Sequence, residues 1–148
     1  MKPLTSSDKK KIIEQLNEQF GITDLPGLVI QFGKEKLRLY TGILSKEELY
    51  HLDNEARIET IGLYFAKLEN NEIRLTLDGV QFLKAQITKN ILEISDKESD
   101  EWLRGNDLQI KSEKSFKVLK NRDEFLGCGK STGDKITNFV PNERRIKN

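Results

Sequence analysis

The stretch FLGCGKSTGDK, residues 125–135, contains residue types that occur in phosphate-binding loops. A P-loop has the pattern G-x-x-x-x-G-K-[ST], and it opens a helix whose N–H groups hold the phosphates. Gly129, Lys130 and Ser131 fit the end of this pattern, but Glu124 occupies the position of its first glycine. The residues that follow Ser131 favour a strand and not a helix. We therefore expect no nucleotide hydrolysis, and we predict that the glycines allow bends and close contacts in a small β-barrel.

The remaining reactive residue types do not form a catalytic or metal-binding pattern. His51 is the single histidine and Cys128 the single cysteine, so the chain has no cluster of zinc ligands and no internal disulfide. Because Cys128 stands between two glycines, we expect a buried thiol and not a nucleophile. Trp102 is expected to pack in a core. The sequence thus predicts a protein that is not an enzyme and that needs no metal and no cofactor.

Positive charge is concentrated in the last third of the chain. The net charge is +1, yet residues 104–148 contain 11 Lys or Arg against six Asp or Glu, while residues 1–103 contain 14 against 18. This asymmetry indicates an anionic partner for the basic segment; ordinary surface variation is the alternative. No apolar run is long enough to span a membrane or to act as a signal peptide. We therefore expect a cytoplasmic protein with no membrane contact.

Hydrophobic spacing in the first half predicts alternating helices and hairpins. An amphipathic helix is expected from Ser7, its N-cap, to Phe20, and Gly21 ends it. Two strands, within 27–33 and 36–42, follow it as a hairpin.

Capping and turn residues predict the elements that follow this hairpin. A capping box of Ser45 and Glu48 begins a second helix. Asn70 and Asn71 join two further strands, and Asp78 is the expected cap of a third helix. The predicted order α-β-β-α-β-β-α is typical of an α+β domain.

The second half is predicted to be mostly β. ILEIS is a strand, and a capping box of Ser95 and Glu98 opens a short helix that stops at Gly105. Four further strand candidates are DLQI, SFKVLKN, EFLGCG and KITNFV. One short helix among short strands indicates a closed or nearly closed barrel. Because no flexible linker occurs near residue 89, we expect the two halves to pack together.

Two segments of this second half, LEISDKESDEWLRGNDLQI and FLGCGKSTGDKITNFVPNERRI, resemble a known module. They resemble the C-terminal PUA domain of Nol/Nop/Sun (Fmu-type) RNA cytosine-5 methyltransferases, and RIETIGLYFAKLENNEIRLTLDG is similar to the segment before that domain. The chain as a whole resembles archaeal relatives that carry these modules without a catalytic domain. The matching residues are Leu103-Arg104-Gly105, Leu126-Gly127, Gly129-Lys130, Asn138, Pro141 and Arg144-Arg145. Cys128 is a departure, because an aromatic residue is common at this position in the methyltransferases.

The resemblance implies an α+β fold, in which a small N-terminal α/β (pre-PUA) domain, residues 1–89, packs on a C-terminal PUA-like β-barrel, residues 90–148. PUA domains bind structured RNA through the first helix, the glycine-containing loop after it and the last strand. We expect the RNA-binding residues to be Arg104, Gly105, Lys114, Lys117, Lys130, Lys135, Asn138, Arg144 and Arg145. Lys114, Lys117 and Lys120 lie in one basic segment, which is equally well interpreted as a ridge that faces RNA or as an edge strand protected from aggregation by its lysines.

The sequence therefore predicts a non-catalytic protein that binds structured RNA, rRNA or tRNA, in ribosome biogenesis, rRNA processing or RNA modification. A ribosome-assembly protein or an RNA-modifying protein is an expected further partner. One alternative is an adaptor whose basic surface binds an acidic protein. Another is an accessory subunit of a separate RNA methyltransferase. Salt-sensitive binding to naked structured RNA separates RNA binding from the adaptor function.

Overall fold

The computed structural model describes residues 1–56, 58 and 60–147. Arg57 and Glu59, which belong to the segment similar to the region before the PUA domain, lie outside the described residues, as does Asn148. The strands are β1 (Lys2–Pro3), β2 (Leu28–Phe32), β3 (Lys36–Tyr40), β4 (Leu63–Glu69), β5 (Glu72–Leu75), β6 (Ile91–Glu93), β7 (Ser115–Asn121), β8 (Glu124–Ser131) and β9 (Ile136–Thr137). The α-helices are α1 (Ser6–Phe20), α2 (Lys46–Ala56), α3 (Leu77–Leu83) and α4 (Asp96–Leu103), and short 3-10 helices cover Lys84–Gln86 and Asn142–Arg144.

The first five strands form one antiparallel sheet in the order β1-β2-β3-β4-β5. The predicted order of elements is confirmed, with one addition: the expected N-terminal tail contains β1, whose Lys2 pairs with Gln31. Asn70 and Asn71 join β4 to β5 with φ angles of 48° and 66°. Two-residue hairpin turns favour such positive φ angles, which asparagine tolerates better than most residues.

Both predicted capping boxes are present. The Ser45 N–H donates to Glu48 at 3.1 Å and the Glu48 N–H donates to the Ser45 hydroxyl at 3.1 Å. The same reciprocal pair joins Ser95 and Glu98 at the start of α4, at 2.8 and 3.1 Å. Each box satisfies two backbone donors that the first helical turn leaves unpaired, so the sequence alone located these helix starts correctly.

Two other predicted caps are wrong. Helix α1 is capped by Thr5, whose hydroxyl accepts from the Asp8 N–H, and not by Ser7. Helix α3 is capped by Thr76, whose hydroxyl accepts from the Gly79 N–H at 2.9 Å. The Thr76 hydroxyl also donates to a backbone oxygen of β4, at Tyr64. Because this hydroxyl serves the helix and the sheet together, tertiary contacts place the helix start two residues earlier than the sequence indicated.

The last four strands form a smaller, curled sheet in the order β6-β7-β8-β9, in which β6 is parallel to β7 and the other pairs are antiparallel. Strand β7 lies between β6 and β8, so the interpretation as protection of an edge is wrong for Lys117 and Lys120, whereas Lys114 precedes the strand. Predicted strand DLQI contributes only a bridge between Leu108 and Ile136, and KITNFV contributes only the two residues of β9. The result is a curled half-barrel, less complete than the closed or nearly closed barrel that was expected, and it matches the predicted α+β fold with a PUA-like second half.

Two hydrophobic clusters hold the chain together. The larger cluster joins α1, α3 and one face of the first sheet to Phe116, Val118 and Cys128 of β7 and β8. The smaller cluster surrounds Trp102, which is fully buried and donates its indole N–H to the Leu126 carbonyl at 2.7 Å. The curled sheet is therefore covered on both faces, because the N-terminal half packs on one face and α4 on the other. In the part of the chain that the structure describes, no helix has the length and apolar character needed to cross a membrane.

Candidate nucleic-acid interface

The end of α4 and the C-terminal segment meet at Gly105. Gly105 has a φ of 95°, and a Cβ atom there would overlap the Arg145 guanidinium. Arg145 donates its Nε–H to the Val140 carbonyl at 3.0 Å, and the Ile146 N–H donates to the Leu103 carbonyl at 2.8 Å. The basic C-terminal segment is thus folded back onto α4 and does not extend as a free tail. Gly105 and Arg145 are brought together, and their contact fixes the loop that follows α4.

Two of the predicted cations, Arg104 and Lys135, lie at the surface of this region and form exposed ion pairs. Arg104 donates its Nε–H to an oxygen of Asp100 at 2.9 Å, and the Lys135 ammonium lies 3.2 Å from an oxygen of Asp107. The Asn138 N–H, and after it Lys135, hold the pKa of Asp107 below its usual value. Exposed ion pairs of this kind contribute only about 0–1 kcal/mol. A phosphate group can therefore compete with the carboxylates for both cations.

Asn138 connects the last strand to the loop after α4. Its side-chain NH₂ donates to the carbonyls of Trp102 and Asn106, at 2.8 and 2.9 Å. Its side-chain oxygen accepts from the Val140 N–H at 2.7 Å, and its own N–H donates to Asp107. Because Asn138 makes these bonds, it does not continue the pairing of β9 with β8, and β9 ends at Thr137. The RNA contact of Asn138 stays a prediction; in the structure its amide group positions the surrounding loop.

Lys114 belongs to the same region because it lies against the turn before β9. Its side chain passes about 3.5 Å from the place where a Cβ of Gly133 would lie, and the Ser112 N–H donates to the Gly133 carbonyl at 3.2 Å. Lys114 is exposed. Since Lys135 follows Gly133 by two residues, the two lysines flank one turn. We call Arg104, Gly105, Lys114 and Lys135 the α4 surface.

Two of the predicted RNA-binding residues, Lys130 and Lys117, belong to the curled sheet but lie away from the α4 surface. Lys130 pairs with Phe116 across the β7–β8 ladder, and its ammonium lies 5.3 Å from the centre of that ring. Phe116 belongs to the core shared with the N-terminal half, whereas the neighbouring Gly129 faces Trp102. Lys130 therefore lies on the opposite face from α4. Lys117 is buried, with its ammonium 3.2 Å from the Asn90 side-chain oxygen, so it holds the junction of the halves.

The stretch Gly129-Lys130-Ser131 lies in an extended strand and not in a loop. Its residues pair with β7 and β9, so their backbone N–H groups do not converge on a common point as they do in a P-loop. The Ser131 hydroxyl donates to the Ser112 carbonyl at 3.1 Å and accepts from the Ser112 hydroxyl at 2.7 Å. These contacts give the stretch a structural role in closing the half-barrel.

A cleft of about 360 Å³ separates the two halves next to Arg144. Arg144 donates to Asp78 at 3.0 Å, and this exposed ion pair joins the two halves. The guanidinium of Arg74 lies 4.1 Å from the centre of the Phe139 ring, and Tyr64 lines the same cleft. Sequence reasoning did not single out Arg74 and Phe139, because they lie in different halves and only the fold stacks them.

Cys128 also lines this cleft but is almost fully buried. Burial raises the pKa of its thiol to about 12. A cysteine nucleophile needs a lowered pKa and access to substrate, so the expected buried, unreactive thiol is found.

We expect Cys128 to react with Ellman's reagent only when the protein unfolds, since the thiolate that attacks the reagent is scarce and enclosed. The reaction should be slow in native buffer and complete within the mixing time in 6 M guanidinium chloride. Stoichiometric reaction of the native protein within seconds at pH 7 would contradict this expectation. Cys128→Ser should leave RNA binding unchanged.

Comparison with known proteins defines the class of the second half. The family model described as Methyltransferase RsmF PUA domain matches residues 89–146. The chain is 26% identical over 146 residues to the Ribosomal RNA small subunit methyltransferase F of Psychromonas ingrahamii, covering 94% of this chain and 29% of that protein. The chain thus spans less than a third of the length of this relative.

A solved structure supports the fold over nearly the whole chain. The crystal structure of a hypothetical protein from the hyperthermophilic archaeon Pyrococcus horikoshii OT3 matches with a TM-score of 0.56 and 14% sequence identity. The match covers 93% of this chain and 92% of that chain. The predicted resemblance is confirmed: the chain carries a PUA-type domain like that of RsmF methyltransferases, preceded by an α/β region. A PUA domain of this kind supports RNA binding in general.

Proposed function

We propose that this protein is a non-catalytic RNA-binding protein that recognises structured RNA, rRNA or tRNA, and acts in ribosome biogenesis or RNA modification in the cytoplasm. The observation that carries the proposal is the match of residues 89–146 to the PUA domain of an RNA methyltransferase family. The exposed cations of the α4 surface surround the helix and loop that such domains use, which supports the same proposal.

The α4 surface has the chemistry that recognition of folded RNA requires. Arg104, Lys114 and Lys135 present three cations, and the missing side chain of Gly105 lets Arg145 pack against the loop that follows α4. Lysine and arginine contacts to phosphates give salt-dependent affinity with little sequence preference. Folded RNA is recognised mostly through its shape, its phosphates and its 2′-hydroxyl groups. In this proposal Asn138 and Arg145 support the surface, whereas Lys130, Lys117 and Arg144 lie apart from it.

We further propose residues 1–89 and 90–148 as the two domains, with the first holding the second in a fixed orientation. The shared core, in which Phe116 and Val118 of β7 pack with α1 and α3, supports a rigid arrangement. An accessory role for a separate RNA methyltransferase is the second candidate. It is favoured by the similarity of the chain to a portion of a methyltransferase.

A binding titration against folded tRNA and rRNA hairpins at 50 and 200 mM salt tests the proposal. We expect binding that weakens by about 40- to 150-fold between these concentrations if three to four phosphates of a paired region are contacted. An unfolded poly(A) of equal length is the control and should bind more weakly. Absence of binding at 50 mM salt would reject the proposal and favour the adaptor function.

A further inference from the structure

An open groove of about 760 Å³ lies on the N-terminal half, away from the α4 surface. One side is the β2–β3 hairpin, with Phe32, Lys34, Lys36 and Arg38. The other side is the end of α2 and the segment after it, including Asp53 and Ile58. The proposed RNA contacts of the α4 surface do not involve this groove, which contains three cations, Lys34, Lys36 and Arg38.

Successive side chains of β3 alternate between the two faces of the sheet, and this alternation places cations and aromatic rings together in the groove. Leu37 and Leu39 enter the main core, so Lys36 and Arg38 leave the opposite face of the sheet. The Arg38 guanidinium lies between two rings, 5.6 Å from the centre of Phe32 and 5.7 Å from that of Tyr64. Its Nη1–H donates to the Gly62 carbonyl at 2.9 Å, which fixes its position.

Within the described part of the chain, the groove carries positive charge that its carboxylates do not fully neutralise. Lys34 and Lys36 are exposed, and within the described part of the chain neither makes an ion pair. Of the carboxylates, Glu35 is paired with Lys67 at 3.4 Å, and Asp53 accepts from the Ile58 N–H at 2.7 Å. Lys34 and Lys36 are therefore available to an anionic ligand. Their ammonium groups suit phosphates, and the half-buried rings beside them suit flat bases.

Tyr64 connects this groove to the cleft between the halves. Its ring lies 5.6 Å from the Lys36 ammonium on the groove side, and the same residue lines the cleft that contains Arg144 and Phe139. Tyr64 is thus a common neighbour of the groove cations and of the cleft.

We propose that the groove binds an unpaired segment of the RNA whose folded part lies on the α4 surface. Lys34 and Lys36 bind phosphates of this segment, and Phe32, Tyr64 and the planar Arg38 guanidinium stack on its bases. Non-sequence-specific binding of single strands combines these same elements, a cationic groove and aromatic platforms. This inference rests on the proposed function, because it assumes that the C-terminal half binds RNA. An acidic protein segment is the other ligand that the charges would suit.

The test compares an RNA hairpin with the same hairpin extended by ten unpaired nucleotides. For wild type we expect the extension to tighten binding about tenfold or more, since it adds two phosphate contacts and base stacking. The double variant Lys34→Gln/Lys36→Gln should lose most of this gain, and its salt slope for the extended RNA should fall by about 1.4, because each phosphate contact on a single strand contributes about 0.7. Its affinity for the hairpin alone should equal that of wild type.

A matched control removes two lysines from the other side of the sheet. Lys10 and Lys11 are exposed on α1, which packs on the inner face, so Lys10→Gln/Lys11→Gln should bind both RNAs like wild type. If wild type gains nothing from the extension, or the groove variant keeps the gain, the groove proposal is wrong while the proposed function stands. If wild type binds neither RNA, the proposed function itself fails.

A second variant tests the stacking contribution without changing charge. Phe32→Leu keeps an apolar side chain but removes the ring, and we expect it to weaken binding of the extended RNA about fivefold or more. Its salt slope should stay equal to that of wild type, because the phosphate contacts remain. Circular dichroism at the assay temperature checks that each variant is folded. Unchanged affinity of Phe32→Leu for the extended RNA would overturn the assignment of these rings to bases and favour an acidic protein ligand.

Discussion

Replacing Arg104, Lys114 and Lys135 together by glutamine is expected to weaken binding of folded RNA about 100-fold near 0.15 M salt. Each phosphate contact contributes about 0.9 to the slope of log K against log salt, which corresponds to about fivefold in affinity at this salt concentration. The slope for the triple variant should therefore fall by about 3. The measurement is a fluorescence anisotropy titration with a labelled hairpin at four salt concentrations.

The triple variant should remain folded, because the ion pairs it removes are exposed. The side chains of Arg104 and Lys135 are 31% and 44% exposed, and surface pairs contribute little to stability. A charge-matched control is Lys10→Gln/Lys11→Gln/Lys84→Gln, in which three exposed lysines of the N-terminal half change. We expect the control to retain wild-type affinity within about threefold, since long-range effects of surface charges are screened at this salt concentration. Equal losses in both variants would show that net charge, and not the α4 surface, determines RNA binding.

Replacing Trp102 by alanine is expected to lower the free energy of unfolding by about 3–5 kcal/mol. The indole is fully buried at the centre of the smaller cluster, and its N–H is bonded to the Leu126 carbonyl. Its removal leaves a cavity and an unsatisfied carbonyl next to Gly129, whose lack of a side chain made room for the ring. Urea denaturation followed by circular dichroism measures the change, since the variant contains no tryptophan for fluorescence.

Trp102→Phe separates packing from the hydrogen bond. It keeps most of the apolar volume and loses the indole N–H, so we expect a smaller destabilisation, about 1–3 kcal/mol. A loss below about 1 kcal/mol for Trp102→Ala would contradict the assignment of Trp102 to the core. It would favour the alternative that Trp102 stacks on a base, as aromatic side chains do in RNA-binding proteins.

Local signals in the sequence were sufficient for most of the fold. The capping boxes at Ser45 and Ser95 and the Asn70-Asn71 turn each depend on residues a few positions apart, and all three were predicted correctly. The two wrong caps and the missing DLQI strand depend on contacts between distant residues. Thr76 begins α3 because its hydroxyl also bonds to β4, and Asn138 leaves the sheet to bond with the loop after α4.

The candidate site, like the fold, was predicted in part from the sequence, and the remaining part required the tertiary structure. The residue types and their order determined that the C-terminal third is basic, that it resembles a PUA domain and that GKS is not a P-loop. Only the tertiary structure decided which cations share a surface. Lys130 lies on the opposite face from α4, Lys117 is buried against Asn90, and Arg144 is paired with Asp78 across the cleft. The physical reason is that composition and residue order determine how much charge a segment carries. The curl of the sheet and the packing of the C-terminal segment on α4 determine on which surface that charge lies.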